Sequence, residues 1–135
     1  MNINNFILVI EDNALFARMY KSILEAQGFR VRCVFDGEEA LNWLATAQQM
    51  PDLVLLDLLM PKVNGYEVFE RMKSKDNYKH IPIIVLTNMN EEGDMERVLK
   101  MGALMCLIKV NNTPKQIVEK VKEVFAEMVK KGNSI

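Results

Sequence analysis

Two adjacent acids, Glu11 and Asp12, follow a short run of branched apolar residues, and Asp57, Thr87 and Lys109 each stand at the end of another such run. Each has an ordinary explanation taken singly: Asp12 or Asn13 caps a helix, Asp57 caps a turn, the Thr87 hydroxyl is satisfied by backbone, and Lys109 is solvated. Brought to one place, they would do chemistry. Carboxylates a few ångströms apart repel by about 4 kcal/mol per pair at an effective dielectric near 20. A hard divalent cation relieves that repulsion, and an all-oxygen, partly hydrated donor set suits Mg²⁺ better than zinc. Three carboxylates and one lysine sum to −3 + 1 = −2, so Mg²⁺ brings such a pocket to neutrality and lets it admit a phosphoryl group. A carboxylate can then attack phosphorus while metal and ammonium draw charge off the equatorial oxygens. Asp57 is the best nucleophile candidate because it closes the central apolar run. Glu11 and Asp12, side by side on a loop, suit metal holding, and Thr87 offers a hydroxyl to one phosphoryl oxygen.

The elements that must position these residues are legible as alternation. Runs at residues 6–10, 31–34, 53–56, 83–86 and 104–108 predict five strands. The first, third and fourth are almost continuously apolar, as in a parallel sheet covered on both faces; the second, with Arg30 and Arg32 alternating, suits an edge. Helical stripes lie between them: Phe16, Met19, Tyr20 and Ile23, stopped at Gly28; Ala40, Leu41, Leu44 and Ala45 behind a capping box of Asp36 and Glu39, with Trp43 near the flank; Tyr66, Phe69 and Met72; Met95, Val98 and Leu99, stopped at Gly102. The last helix opens with Thr113 as N-cap, Pro114 and Gln116, and carries Ile117, Val121, Val124, Phe125 and Met128. The expected fold is therefore α/β, a doubly wound five-stranded parallel sheet in a three-layer αβα sandwich. Its expected strand order is 2-1-3-4-5, with a ligand crevice where strands 1 and 3 diverge.

Composition narrows the functional classes. The 135 residues, 50% of them hydrophobic, suit one domain over 1–135 with a core at about 5–131. With 17 Lys+Arg against 18 Asp+Glu the net charge is −1, so no basic field attracts nucleic acid or anionic lipid. No apolar run reaches the roughly 18 residues of a membrane span, and a cytoplasmic location is expected. The lone His80 lacks neighbours for a zinc site, and Cys33 and Cys106 read as small buried hydrophobes rather than a disulfide. Most of the ten methionines, among them Met19, Met72, Met95 and Met128, fall on apolar stripes and are expected in the core.

Ile10-Glu11-Asp12-Asn13, then Asp57-Leu58-Leu59-Met60-Pro61 with Asn64-Gly65, Leu86-Thr87, Gly102-Ala103 and Lys109, give the chain a specific likeness from about residue 6 to 128. It resembles the receiver domain (CheY-like) of two-component response regulators. CheY itself has the 2-1-3-4-5 order, so the fold expectation and the resemblance are not independent. The resemblance implies that Asp57 is the phosphoacceptor, Glu11 and Asp12 the magnesium holders, the Leu59 carbonyl a further metal ligand, Thr87 the switch hydroxyl and Lys109 the phosphate clamp. It implies a phosphohistidine donor on a sensor histidine kinase or histidine phosphotransfer protein. The protein would be a signalling protein that catalyses only its own phosphorylation and dephosphorylation, not an enzyme in the usual sense. With no output domain after the last helix, it is expected to act as a stand-alone, single-domain regulator on a downstream protein, through the face of the fourth helix, fifth strand and fifth helix.

Three departures from the family pattern stand out. Val110 replaces a proline preceded by a cis bond; because cis is costly before valine, a trans bond with a rerouted loop at residues 110–112 is expected. Cys106 replaces the aromatic that reads the threonine's movement. Asn88 replaces a smaller residue, and its amide would either crowd the phosphoryl group or bond to it. An alternative is a degenerate receiver that binds partners without phosphorylation. A flavodoxin-like electron carrier is disfavoured because Glu11-Asp12 would repel a flavin phosphate, and a haloacid-dehalogenase-like phosphatase because position 59 is leucine rather than a second acid.

Overall fold

The structure is a computed structural model that describes residues 5–58, 60, 64–88 and 92–133. Strands and helices alternate along the chain: β1 (Phe6–Ile10), α1 (Ala14–Ala26), β2 (Arg30–Val34), α2 (Gly37–Thr46), β3 (Leu53–Asp57), α3 (Gly65–Ser74), β4 (Ile83–Thr87), α4 (Glu92–Lys100), β5 (Met105–Ile108) and α5 (Pro114–Asn133). A 3-10 turn, Lys109–Asn111, links β5 to α5. The strands are all parallel and ordered β2-β1-β3-β4-β5, as expected from the sequence.

The pleat sends alternate residues of β1, β3 and β4 to opposite faces, which explains why these strands are apolar throughout. Ile7, Val9, Leu53, Leu55, Ile84 and Leu86 meet Tyr20 and Leu24 of α1 and Ile117, Val121 and Phe125 of α5. On the other face Leu8, Ile10, Val54, Leu56, Ile83 and Val85 meet α2 through Ala40 and Leu44, α3 through Val68, Phe69 and Met72, and α4 through Val98. Cys33 of β2 and Cys106 of β5 lie on opposite edges. Four strand spacings of about 4.8 Å separate those edges, more than twice the Cα separation of about 7 Å that a disulfide can span.

The helix ends follow their capping chemistry. Thr113 Oγ1 accepts from the Gln116 backbone N–H at 3.2 Å, and Gln116 Oε1 accepts from the Thr113 N–H at 2.8 Å, a reciprocal capping box. Asp36 caps α2 through the Glu39 N–H at 2.7 Å, but Glu39 reaches back to the Phe35 N–H at 3.2 Å rather than to Asp36. Gly28 and Gly102, at φ 95° and 111°, take the left-handed conformation that stops α1 and α4.

Some expectations shift. β2 begins at Arg30 and β5 at Met105, leaving Leu104 49% exposed. The buried stripe of α1 is Ala17, Tyr20 and Leu24; Met19 faces solvent, as do Leu99 and Met128. Ala17 carries too little apolar weight to reveal that rotation of the helix. Met72 is in the core and Met95 packs at its margin. Trp43 lies on the flank of α2, edge-to-face with Phe6 at 5.8 Å. No cis peptide bond occurs among the described residues, so Lys109–Val110 is trans, within the 3-10 turn Lys109–Asn111. Among the described residues no helix is long and apolar enough to cross a membrane.

Candidate functional site

β1 delivers Glu11 to the carboxyl edge of the sheet, where its backbone N–H still pairs with the Val34 carbonyl at 3.1 Å. Its side chain is fully buried, and Oε2 accepts from the Asn13 N–H at 3.1 Å. Asn13, not Asp12, caps α1, accepting from the Phe16 N–H at 3.1 Å. Asp12 is left exposed at the mouth of the crevice. Asp57 is the last residue of β3, buried, opposite Leu86. The start of α3 is held close to the end of β3 at Gly65, whose N–H bonds the Leu58 carbonyl at 3.0 Å. A Cβ on Gly65 would fall 2.4 Å from the Asp57 carbonyl oxygen and 2.4 Å from Leu58 Cα, so only glycine fits there.

Lys109 leaves β5 at the first residue of the 3-10 turn, and its side chain is 8% exposed. Its Nζ donates to Glu11 Oε1 at 2.5 Å and lies 3.5 Å from Asp57 Oδ2 and 4.8 Å from the centre of the Phe16 ring. The lysine thus bridges two buried acids and rests on an aromatic face. Hydrophobic periodicity alone places Phe16 on the core stripe; the signal for its role is its place in the first turn of α1, three residues after the cap Asn13. Thr87, fully buried, ends β4 one residue past Leu86, the partner of Asp57, and pairs with Ile108, the residue before Lys109. The register therefore seats it between those two.

Carboxylate oxygens of Glu11, Asp12 and Asp57 lie within 4.8 Å of one another. Three hard oxygen donors, one open to solvent, fit a small divalent cation that keeps several waters. The Leu59 carbonyl expected to join them lies outside the described residues. His80 is exposed and joins no cluster of potential ligands among the described residues.

The three departures have structural settings. Asn88 Oδ1 accepts from the Val110 N–H at 3.1 Å, so the amide turns toward β5 and uses a donor that proline would lack. Cys106 is buried, in the same core cluster as Met72, Val98 and Ala103. Nearby on α3 the Tyr66 ring carries the Arg97 guanidinium of α4 at 4.3 Å.

Comparison with known proteins places this geometry in a family. A profile described as "Response regulator receiver domain" matches residues 7–122. The polar-differentiation response regulator DivK of Brucella anthropi is 31% identical over 121 residues, covering 90% of this chain and 96% of DivK. The signal receiver domain of a signal transduction histidine kinase from Syntrophus aciditrophicus superposes with a TM-score of 0.79 at 31% identity, over 91% of each chain. The response regulator Rcp1, solved in its Mn²⁺-bound form, has a TM-score of 0.73 at 28% identity, over 78% of this chain and 81% of that one. An acid cluster at the β1–β3 switch point, in a chain matched from β1 into α5, has one consistent reading: the protein belongs to the response regulator receiver domain family.

Proposed function

We propose that this protein accepts a phosphoryl group on Asp57, in a Mg²⁺-dependent step, from the phosphohistidine of a sensor histidine kinase or histidine phosphotransfer protein. The observation that carries the reading is the buried Asp57 carboxylate set beside two further acids and one lysine. A carboxylate oxygen of Asp57 forms the new O–P bond as the N–P bond of the donor breaks, and the electron pair leaves with the imidazole nitrogen. Bound by Glu11, Asp12 and Asp57, Mg²⁺ would offset charge on the transferring group. The Mn²⁺-bound Rcp1 relative supports a cation of this kind. Lys109 is tethered within reach of Asp57 and supplies a positive charge to the phosphoryl oxygens, and the Thr87 hydroxyl donates to one of them.

The protein is read as a stand-alone regulator in two-component signalling that works in the cytoplasm by protein contact, without nucleic acid or membrane. Coverage of 96% of DivK supports the single-domain reading. The face of α4, β5 and α5, where Leu99 and Leu104 are exposed, is the proposed contact surface for the downstream protein.

Incubation with acetyl phosphate, with and without Mg²⁺, followed by intact mass measurement, tests the assignment. One added phosphoryl group is expected, only with Mg²⁺, and none on Asp57→Asn. Equal labelling of wild type and variant refutes Asp57 as acceptor; a folded wild type that takes no label favours the contact-only alternative.

A further inference from the structure

Tyr20 lies on α1 one turn beyond Phe16, fully buried. Its ring stacks on Phe16 with centroids 6.1 Å apart, and Phe16 in turn supports Lys109. The Tyr20 hydroxyl has no hydrogen-bond partner among the described residues. A buried phenol with its O–H unsatisfied is a cost that phenylalanine would avoid while packing the same way, so the oxygen calls for a reason beyond bulk. Burial first, and then the carboxylates of Glu11 and Asp57, push its pKa up, so the group remains a protonated donor in the field of the two acids. In this structure Glu11 is already engaged at both oxygens, Oε1 by Lys109 and Oε2 by the Asn13 N–H.

We propose that the Tyr20 hydroxyl is a positioning donor held in reserve for the Glu11 carboxylate, taking it up when Lys109 lets go. The inference rests on the phosphoryl-transfer reading, which supplies the reason for the lysine to leave: an ammonium displaced from Glu11 Oε1 by the bound dication, and then turned to a phosphoryl group on Asp57, gives up its contact with that carboxylate. A buried carboxylate stripped of its donor is unfavourable. Tyr20 replaces that donor from the core side, while a dication is reached from the mouth, where Asp12 stands. Glu11 then keeps a fixed orientation toward the metal, as an outer-shell hydrogen bond does for a ligating carboxylate.

Tyr20→Phe and Lys109→Met, singly and combined, test this by urea unfolding without metal and by calorimetric titration with Mg²⁺. In the resting protein the hydroxyl has no partner among the described residues, so Tyr20→Phe alone should unfold at or above the wild-type midpoint. In the Lys109→Met background Glu11 has lost its lysine, and the same substitution should lower the midpoint. Tyr20→Phe alone should also weaken Mg²⁺ binding about tenfold, the scale of outer-shell losses at metal sites. Additive unfolding effects, or a Mg²⁺ affinity within about twofold of wild type, overturn the proposal. The titration needs only Tyr20→Phe, so a poorly folded Lys109→Met chain does not shield the idea. A wild type that neither binds Mg²⁺ nor labels at Asp57 defeats the phosphoryl-transfer reading instead, and the metal-free cycle still judges Tyr20 by itself.

Discussion

Replacing Lys109 by methionine keeps most of the stem's volume and deletes the cation that bridges Glu11 and Asp57. What remains is two buried carboxylates, each with an oxygen within 4.8 Å of the other's. At an effective dielectric near 20, unit charges no farther apart than that repel by at least about 332/(20 × 4.8), or roughly 3.5 kcal/mol, which the ammonium offsets in the wild type and nothing offsets in the variant. Removing one partner from a buried ion pair typically costs about 3 to 5 kcal/mol, which agrees. Urea unfolding without metal should therefore show Lys109→Met less stable by about 3 kcal/mol. Saturating Mg²⁺ should close most of that gap, because the dication replaces the missing positive charge. Each roughly 1.4 kcal/mol recovered corresponds to about tenfold tighter Mg²⁺ binding by the variant than by wild type, where lysine and metal compete for Glu11. A variant as stable as wild type without metal, or a gap of the same size with and without Mg²⁺, would refute the electrostatic account of the pocket.

Two further outcomes follow from the same geometry. Gly65→Ala would set a methyl group 2.4 Å from the Asp57 carbonyl oxygen, so the end of β3 must shift; destabilisation of about 1 to 3 kcal/mol in urea is expected, together with slower acetyl phosphate labelling, and wild-type behaviour in both would show that the contact relaxes freely. Asn88→Ala and Val110→Pro each remove the 3.1 Å bond between the β4 and β5 ends. The alanine should cost about 1 kcal/mol in the wild-type chain and almost nothing in the Val110→Pro background, and equal cost in both backgrounds would mean the bond contributes no stability.

The fold was legible because its signals are redundant. Each wholly buried strand is an unbroken run such as Leu53 to Leu56, each crossover has an apolar stripe, and Gly28, Gly102, Thr113 and Gln116 punctuate the helices with specific backbone chemistry. The acid cluster was legible because strand ends in a parallel sheet share one edge, so Asp57 and Glu11 had to meet once the strand order was known. Side-chain choice among partners was less visible. Strand position brings Lys109 to the mouth, but whether its ammonium faces solvent, phosphate or Glu11 depends on rotamers and on Phe16 beneath it. Asn88 is similar: of two settings open to its amide, the bond to the Val110 N–H exists because the turn after β5 is trans and 3-10 in form. Met19 marks the limit of periodicity, since a helical stripe read from hydrophobicity alone can be rotated by one residue when alanine holds the inner position.

The margins of the sheet bear on how the protein behaves in crowded solution. On one side β2 presents Arg30 and Arg32 to solvent, with Arg30 lying over the Phe6 ring at 5.2 Å. On the other, β5 is only four residues long and curls at once into the 3-10 turn. Cationic side chains along one border and an abrupt bend at the opposite one leave little straight backbone for a neighbouring copy to zip onto, so ribbons of stacked molecules have no template from which to grow.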